Sequence, residues 1–327
     1  MSQPRFQKQI KRRVVLIWAD FQHRLLTLNF PFIMYVENLI IANIAPEAHP
    51  LQAQTKNIKR FDSVVNYASS IFPNISGWVM SRLICRPLRR NLSPNSKAFL
   101  ETSMPIDLII QGKKTKGYAW GEGPTVLFVH GWATHAGSWQ PYVARLVESG
   151  YRVVAFDAPA HGHSGGRVLT PLRYMNVINA FIENIEMPYA LVGHSYGAMS
   201  AVLSLRNQRN YPSKLVLLGS FESVNTIFSC CAKHLNLSEK VQKAVKKYAK
   251  NMLGGEMESF SVSQTIKGFS DAEILIVHDR NDAIAPVNDA YTMANAATNT
   301  TLLLTNGLGH KLKHDDVVDK VLAFIAK

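Results

Sequence analysis

Residues 191–202 read LVGHSYGAMSAV, a run in which a serine stands between two glycines, each two positions away. The apolar residues before Gly193 are typical of the end of a buried strand, and the small residues after Gly197 are typical of the start of a helix. Glycine permits backbone conformations and close approaches that other residues resist. The stretch therefore predicts a sharp strand-to-helix turn that exposes the hydroxyl of Ser195 at the edge of a sheet.

Short apolar runs recur on both sides of this turn and alternate with longer amphipathic stretches such as GSWQPYVARLVESG. The runs lack strict polar alternation, which indicates strands covered on both faces. They occupy residues 125–131, 151–159, 189–195, 214–220, 273–279 and 300–307. Before them, IDLIIQ and KGYAW flank GKK and predict a β-hairpin. This alternation predicts an α/β fold with a doubly wound, mostly parallel sheet.

The remaining segments divide the chain. We expect a basic and apolar leader at 1–57, an N-terminal helical extension at 58–104 and the main domain at 105–327. Within that domain, the interval 221–272 is too long for a simple crossover between strands. It includes SEKVQKAVKKYAKNML, a helix pattern with a basic face, and is interpreted as a helical cap insertion.

The positive charge is concentrated in the first third of the chain. The net charge is +13, but residues 1–116 hold 17 Lys and Arg against 6 Asp and Glu, and the rest holds 19 against 17. Such a region is more often a solvated, membrane-surface or phosphate-attracting face than a DNA reader. Neither a helix-turn-helix pattern nor zinc-finger spacing is present, so no nucleic-acid partner is expected.

The leader does not read as a membrane span. Its longest uncharged stretch, residues 25–36, has 12 residues and contains Pro31, whereas a spanning helix needs about 20 apolar residues. An interfacial amphipathic anchor and a poorly ordered or mis-started leader are the two preferred interpretations, and a true transmembrane helix is the third alternative. We therefore expect a cytoplasmic protein and leave peripheral membrane contact through the basic N-terminal region as an alternative.

The cysteine count and the absence of cofactor motifs argue against disulfide-rich and nucleotide-dependent classes of protein. The three cysteines, Cys85, Cys230 and Cys231, are too few for a disulfide framework and fit a reducing compartment. No Gly-x-Gly-x-x-Gly or Gly-Lys-Ser/Thr motif appears, so no nucleotide cofactor is implied. His161 and His163, with Asp157 nearby, allow a metal site to be drawn. We prefer to interpret them as a turn held by local hydrogen bonds, and expect no metal.

A serine hydroxyl needs a base and an orienting carboxylate to act as a nucleophile. VHDRNDAIAP follows the penultimate predicted strand, and NGLGHKLKH follows the last. Asp282 is preferred as the acid over Asp279, which stands at the edge of the strand and is expected to shape the turn. His310 follows two glycines in a short loop and is the candidate base, whereas His314 reads as a surface residue of the final helix. Glu222 remains the alternative acid.

Two backbone amides are the candidates to stabilise a developing oxyanion. One is the N–H of Tyr196, which follows the serine at a helix N-terminus. The other is the N–H of Trp132 in HGWATHAGSW, the loop after the first parallel strand. The Trp132 side chain is expected to line the substrate pocket. His130, His194 and His278 are interpreted as backbone-orienting or packing residues.

Five motifs in this order resemble the successive signatures of the α/β-hydrolase superfamily over 105–327: VLFVHGWATHAGSW, VVAFDAPAHGHSGG, LVGHSYGAMSAV, ILIVHDRNDAIAP and GLGH. With RPLRRN before them, the chain is similar to bacterial members of unassigned substrate. The resemblance implies Ser195 as nucleophile, Asp282 as acid and His310 as base, with Trp132 and Tyr196 as amide donors. Ala160 departs from the family pattern, which usually has glycine there.

The expected activity is hydrolysis of a small-molecule carboxylic ester or thioester through an acyl-enzyme on Ser195. A serine at this position, rather than an aspartate, argues for acyl transfer over dehalogenase or epoxide hydrolase chemistry. Acyl transfer to an alcohol or amine, and cleavage of a C–C bond, would use the same residues. A binding protein on the hydrolase scaffold is the alternative from another class, because fold alone does not guarantee chemistry.

Overall fold

The computed structural model describes residues 73–327. The leader at 1–57 and the first part of the extension, 58–72, lie outside the described residues, and so do the predictions made for them. Within residues 73–327, no helix is long and apolar enough to cross a bilayer.

Among the described residues, two helices precede the sheet: α1, Pro73–Ile84, and α2, Pro94–Glu101. The start of α2 follows directly from its sequence. The Ser93 side chain accepts a hydrogen bond from the Ser96 N–H at 3.1 Å, and Pro94 occupies the first helical position, where a missing N–H costs nothing. Between the two helices runs an irregular segment that carries the RPLRRN sequence.

Within residues 73–327, eight strands form one sheet in the order β1-β2-β4-β3-β5-β6-β7-β8. The strands β1 and β2 form the expected antiparallel hairpin, β2 joins β4 in antiparallel fashion, and every later pair is parallel. Their bounds are β1 Met104–Ile110, β2 Lys113–Trp120, β3 Thr125–Val129, β4 Arg152–Phe156, β5 Ala190–His194, β6 Lys214–Leu218, β7 Glu273–Asp279 and β8 Thr300–Thr305. The prediction of a mostly parallel sheet is confirmed.

Helices cover the sheet on both faces. They are α3 Gln140–Glu148, α4 Pro171–Ile185, α5 Tyr196–Ser204, α6 Val224–His234, α7 Glu239–Leu253, α8 Val262–Ile266, α9 Val287–Ala294 and α10 Asp315–Ile325. One apolar cluster contains the buried residues of α4 and α5, and a second contains those of α3 and α10. In β3, Val126 through Val129 are completely buried, which explains why the strand runs do not alternate.

The 221–272 segment leaves the sheet after β6 and returns at β7, its parallel neighbour. It contains α6, α7 and α8, and a bridge pairs Ser223, near its start, with Ser261, the residue before α8. Helix α7 packs against α1 so closely that a Cβ on Gly77 would lie 2.8 Å from the carbonyl carbon of Ala244. Helix α1 is therefore packed directly on this segment.

Candidate active site

Ser195 occupies the turn between β5, which ends at His194, and α5, which begins at Tyr196. Its backbone has φ 56° and ψ −126°, a conformation that is strained for any residue other than glycine. The Ser195 N–H donates to the Leu218 carbonyl at 2.8 Å, which anchors the turn to β6.

The glycines on either side of the serine are required by close backbone approaches. A Cβ on Gly193 would lie 2.8 Å from the Ala198 nitrogen, and one on Gly197 would lie 2.6 Å from the Val129 carbonyl oxygen. Real side chains do not tolerate such distances to backbone atoms. The geometry that the sequence predicts for this turn is therefore present.

Three side chains from three different loops meet in a hydrogen-bonded line. His310 Nε2 lies 2.7 Å from Ser195 Oγ, and His310 Nδ1 lies 2.8 Å from Asp282 Oδ2. The side chain of Asp282 is fully buried. Because an ionised carboxylate can only accept hydrogen bonds, Nδ1 of His310 carries the proton and Nε2 is left to accept the serine proton. This order of partners is the one in which an imidazole activates a hydroxyl.

Asp282 is held as an anion by more than the histidine. Burial raises the pKa of its carboxyl, but the hydrogen bond and charge of His310 and the N–H groups of Ile284 and Ala285 outweigh burial, so the pKa lies below its usual value. Both amides donate to Oδ1, at 2.8 and 3.0 Å. His278 Nε2 lies 3.0 Å from the Ala285 carbonyl and 3.5 Å from Asp282 Oδ2.

The backbone of His310 is fixed by a second histidine. His194 Nε2 donates to the His310 carbonyl at 2.9 Å, and the two rings lie 5.1 Å apart. Burial, followed by the nearby His310, lowers the pKa of His194 to about 3. His194 is thus a neutral donor that orients the loop of the candidate base.

The other candidate acids are engaged elsewhere. Asp279 accepts hydrogen bonds from the Asn281 N–H at 2.9 Å, the Thr305 hydroxyl at 2.7 Å and the Leu308 N–H at 2.9 Å. It therefore braces the two turns that carry Asp282 and His310, as expected of a turn-shaping residue.

Glu222 instead accepts hydrogen bonds from two serines of the 221–272 segment, Ser261 and Ser263. Its backbone N–H donates to Asp289 Oδ2 at 2.8 Å. One placement on this side of the site was wrong: His314 precedes the final helix, because α10 begins at Asp315 and His314 is its N-cap residue. The His314 ring nitrogen accepts from the Asp316 N–H, so capping replaces an internal helical position.

The loop after β3 carries Trp132 and is tied to the loop after β4. The Ala133 N–H donates to His161 Nε2 at 3.0 Å, and the Ala136 N–H donates to Asp157 Oδ1 at 2.8 Å. The rings of Trp132 and Tyr196 meet edge to face at 5.6 Å between centroids. Trp132 and Tyr196 both line the same cavity as Ser195.

Asp157 and His161 thus act as hydrogen-bonding centres of a buried turn, the interpretation that the sequence favoured. Asp157 Oδ2 also accepts from the His163 N–H at 2.8 Å and from the Tyr118 hydroxyl at 3.0 Å. His130 completes the turn, since its Nε2 accepts from the Ala158 N–H at 2.9 Å. Across residues 73–327, no group of three or more His, Cys, Asp or Glu side chains could hold a metal ion.

A cavity of about 610 Å³ opens above Ser195 and His310. Most of its lining is apolar and comes from the main domain and the 221–272 segment, including Trp132, Leu169, Phe221, Phe228 and Leu253. Helix α1 and the residue after it add Ser81, Ile84 and Cys85, and cationic side chains are present at Arg90, Lys311 and Lys313. An apolar cavity with a few polar groups is the usual form of a small-molecule site.

The three cysteines are free and all line this cavity. Burial raises the pKa of Cys85 to about 11, and burial followed by the neighbouring cysteines raises that of Cys231 to about 12. Both residues are therefore neutral thiols at physiological pH. They belong to the apolar wall rather than to the nucleophilic chemistry.

Sequence reasoning did not identify two contributions to the site. The contact of His278 with Asp282 had one available signal, the four-residue spacing in HDRND, but that spacing is uninformative without the turn. The contribution of α1 to the cavity depends on its packing against α7, and the sequence has no local signal for that contact.

Comparison with known proteins identifies the family of the chain. Residues 126–315, more than half of the chain, match the model of the alpha/beta hydrolase family. A pimeloyl-(acyl-carrier protein) methyl ester esterase of Methylococcus capsulatus is 37% identical over 98 residues, which cover 30% of this chain and 37% of that protein. The non-heme chloroperoxidase CPO-A1 of Kitasatospora aureofaciens is 31% identical over 102 residues, 29% of this chain and 35% of that protein. The chain thus spans little more than a third of these curated relatives.

Among solved structures, the thioesterase domain from the curacin biosynthetic pathway superposes with a TM-score of 0.53 at 20% sequence identity. The match covers 69% of this chain and 99% of that domain. At this identity the likeness concerns the fold alone.

Proposed function

The chain belongs to the alpha/beta hydrolase family, and from that premise we propose that it is a serine hydrolase that cleaves a carboxylic ester or thioester. The observation that carries the proposal is the line of hydrogen bonds from Asp282 through His310 to Ser195, at 2.8 and 2.7 Å, on the wall of an apolar cavity. A curated relative that is named as a methyl ester esterase supports the same chemistry.

In the proposed reaction, Ser195 Oγ attacks the carbonyl carbon while His310 Nε2 takes the hydroxyl proton. Asp282 holds the imidazole in the required tautomer and stabilises the imidazolium. The backbone N–H groups of Trp132 and Tyr196 stabilise the negative charge on the carbonyl oxygen. His310 then gives its proton to the leaving alcohol or thiol, and water releases the acid from the acyl-enzyme by the same steps.

The composition of the cavity indicates the substrate class. An apolar acyl group fits the lining from the 221–272 segment and α1, and we propose that this segment acts as the cap that sets acyl specificity. Transfer of the acyl group to an alcohol or amine, or cleavage of a C–C bond, would use the same residues. Analysis of the products with and without an added acceptor separates these reactions from hydrolysis.

Labelling with a fluorophosphonate probe tests the proposal directly. We expect the wild type to be labelled and the Ser195→Ala and His310→Ala variants to lose labelling. Ser200→Ala is the matched control, because Ser200 is buried in α5 and its hydroxyl has no hydrogen-bond partner among the described residues. A folded wild type that resists the probe would favour a binding protein on this scaffold.

A further inference from the structure

Arg89 lies in the irregular segment between α1 and α2 and reaches across the chain to the loop after β4. Its Nη1 donates to the Gly162 carbonyl at 2.7 Å, and its Nη2 donates to the Ser164 carbonyl at 2.6 Å. A guanidinium that donates both arms of its fork in this way fixes orientation as well as position. The segment before the main domain therefore holds a loop that is more than seventy residues away in sequence.

The peptide that Arg89 binds is also bound on its other side. The carbonyl of Gly162 and the N–H of His163 belong to the same peptide unit, and that N–H donates to Asp157 Oδ2 at 2.8 Å. Asp157 Oδ1 in turn accepts from the Ala136 N–H at 2.8 Å. A cation, a peptide and a carboxylate thus form one hydrogen-bonded chain that ends in the loop of Trp132, and such chains polarise and strengthen their members.

His161, in the same loop, makes the second attachment to the Trp132 loop. Its Nδ1 donates to the Pro159 carbonyl at 3.0 Å, and its Nε2 accepts from the Ala133 N–H at 3.0 Å. That acceptance requires a neutral imidazole. Burial first, then His130 and other nearby groups including the positive charge of Arg89, lower the pKa of His161 to about 3, so the acceptor is preserved.

We propose that Arg89 is a positioning residue for the proposed reaction: by fixing the loop of Asp157, His161 and Ser164, it places the Trp132 amide that stabilises the oxyanion. Arg89 touches no reacting atom in this scheme. It acts through two hydrogen-bonded attachments on the residues that follow Trp132, at Ala133 and Ala136. The inference rests on the proposed function.

The test compares Arg89→Gln and Arg89→Lys with the wild type on p-nitrophenyl butyrate. Active sites are counted with the fluorophosphonate, and inhibition by phenylboronic acid reports how well a tetrahedral adduct on the serine is stabilised. We expect Arg89→Gln to lower kcat by about 10- to 100-fold, with KM changed less than about threefold, because a misplaced oxyanion donor weakens mainly the transition state. The affinity for the boronic acid should fall with kcat, and Arg89→Lys should lie between.

Arg167→Gln is the matched control, because Arg167 is an exposed cation just beyond the same loop. It should leave kcat within about twofold of the wild type. Unchanged kcat per active site in Arg89→Gln, or a fall in kcat with unchanged boronic acid affinity, overturns the proposal. If Arg89→Gln does not fold, Arg89→Lys decides by the same criteria. A wild type without labelling or turnover would instead contradict the proposed function itself.

Discussion

The hydrogen-bond partners of the three candidate acids distinguish Asp282 from the other two. Asp282 faces His310, Asp279 is saturated by groups of its own turns, and Glu222 is bound to serines of the 221–272 segment. Of the three carboxylates, Asp282 is the one that makes a hydrogen bond to the imidazole of His310. The proposal of Asp282 as the acid is therefore supported by its hydrogen-bond partners as well as by its position in the sequence.

Substitution of the three carboxylates should separate their roles. Asp282→Asn is expected to lower kcat on a p-nitrophenyl ester by roughly 10³- to 10⁴-fold, because an amide in this place favours the wrong imidazole tautomer. Glu222→Gln should leave kcat within about threefold, since its partners lie outside the hydrogen-bonded line. Retained turnover in Asp282→Asn together with its loss in Glu222→Gln would reassign the acid.

Asp279→Asn is the stability control in this series. Burial raises the pKa of Asp279, but hydrogen bonds from Thr305, Leu308 and Asn281 outweigh it, so the folded-state pKa lies below the usual value. Such a carboxyl stabilises the fold above its unfolded pKa, about 3.9, and loses that contribution as the pH falls further. The deficit of the variant in the free energy of unfolding should therefore be present at neutral pH and shrink below about pH 4.

Site residues could be predicted from the sequence where the signal for them lies in the neighbouring sequence positions. The two flanking glycines make Ser195 recognisable in the sequence. Asp282 and His310 are recognisable because they follow the last two predicted strands. Arg89 gives no comparable signal, because its contacts with Gly162 and Ser164 join segments far apart in the chain. The sequence shows the basic cluster RPLRRN, which contains Arg89, but it does not show which carbonyl groups accept hydrogen bonds from it.

At the scale of elements, the strands were predictable because burial on both faces leaves a distinctive apolar run. The runs overshoot the strands: 125–131 was predicted, whereas β3 ends at Val129. His130 and Gly131 are not paired in the sheet, and the His130 side chain instead takes part in the hydrogen bonds of the buried turn after β4. The packing of α1 on α7 was not predictable, since it depends on a glycine and an alanine meeting across the fold.

The α1–α7 contact gives a prediction of its own. Gly77→Ala should lower the free energy of unfolding by about 1–3 kcal/mol, less the gain of up to about 1 kcal/mol in helix propensity, because the new methyl overlaps Ala244. Since α1 lines the cavity through Ile84, KM for a long-chain p-nitrophenyl ester should rise as well. Urea denaturation and steady-state kinetics measure the two effects.

Gly268→Ala serves as the comparison for Gly77→Ala. The nearest atom to a Cβ on Gly268 is the Thr265 carbonyl oxygen at 3.5 Å, an ordinary contact. This variant should be nearly as stable as the wild type and keep its KM. If Gly77→Ala were equally stable and kinetically unchanged, α1 would not be packed tightly on α7 in solution.

At the scale of the whole molecule, the net positive charge and the match to the family model fall in different parts of the chain. The family match begins at residue 126, after the region that holds most of the net positive charge. Residues 1–57 contribute seven Lys and Arg against three Asp and Glu. The main domain is thus nearly neutral and the N-terminal region is basic, and a basic region favours attraction to an anionic surface.

We predict that the full chain binds vesicles of phosphatidylcholine and phosphatidylserine at low salt, and that a chain lacking residues 1–57 binds them more weakly. Each Lys or Arg near an anionic surface contributes about 1 kcal/mol, and the Debye length falls from about 10 Å at 0.1 M salt to about 3 Å at 1 M, so binding should weaken as salt is added. Co-sedimentation measures the binding, and kcat on p-nitrophenyl butyrate shows that the shortened chain is folded.

Equal binding by the two chains would show that residues after 57 attract the vesicles, among them the exposed Lys240, Lys243 and Lys247 of α7. Loss of turnover on removal of residues 1–57 would instead show that the proposed activity requires the N-terminal region.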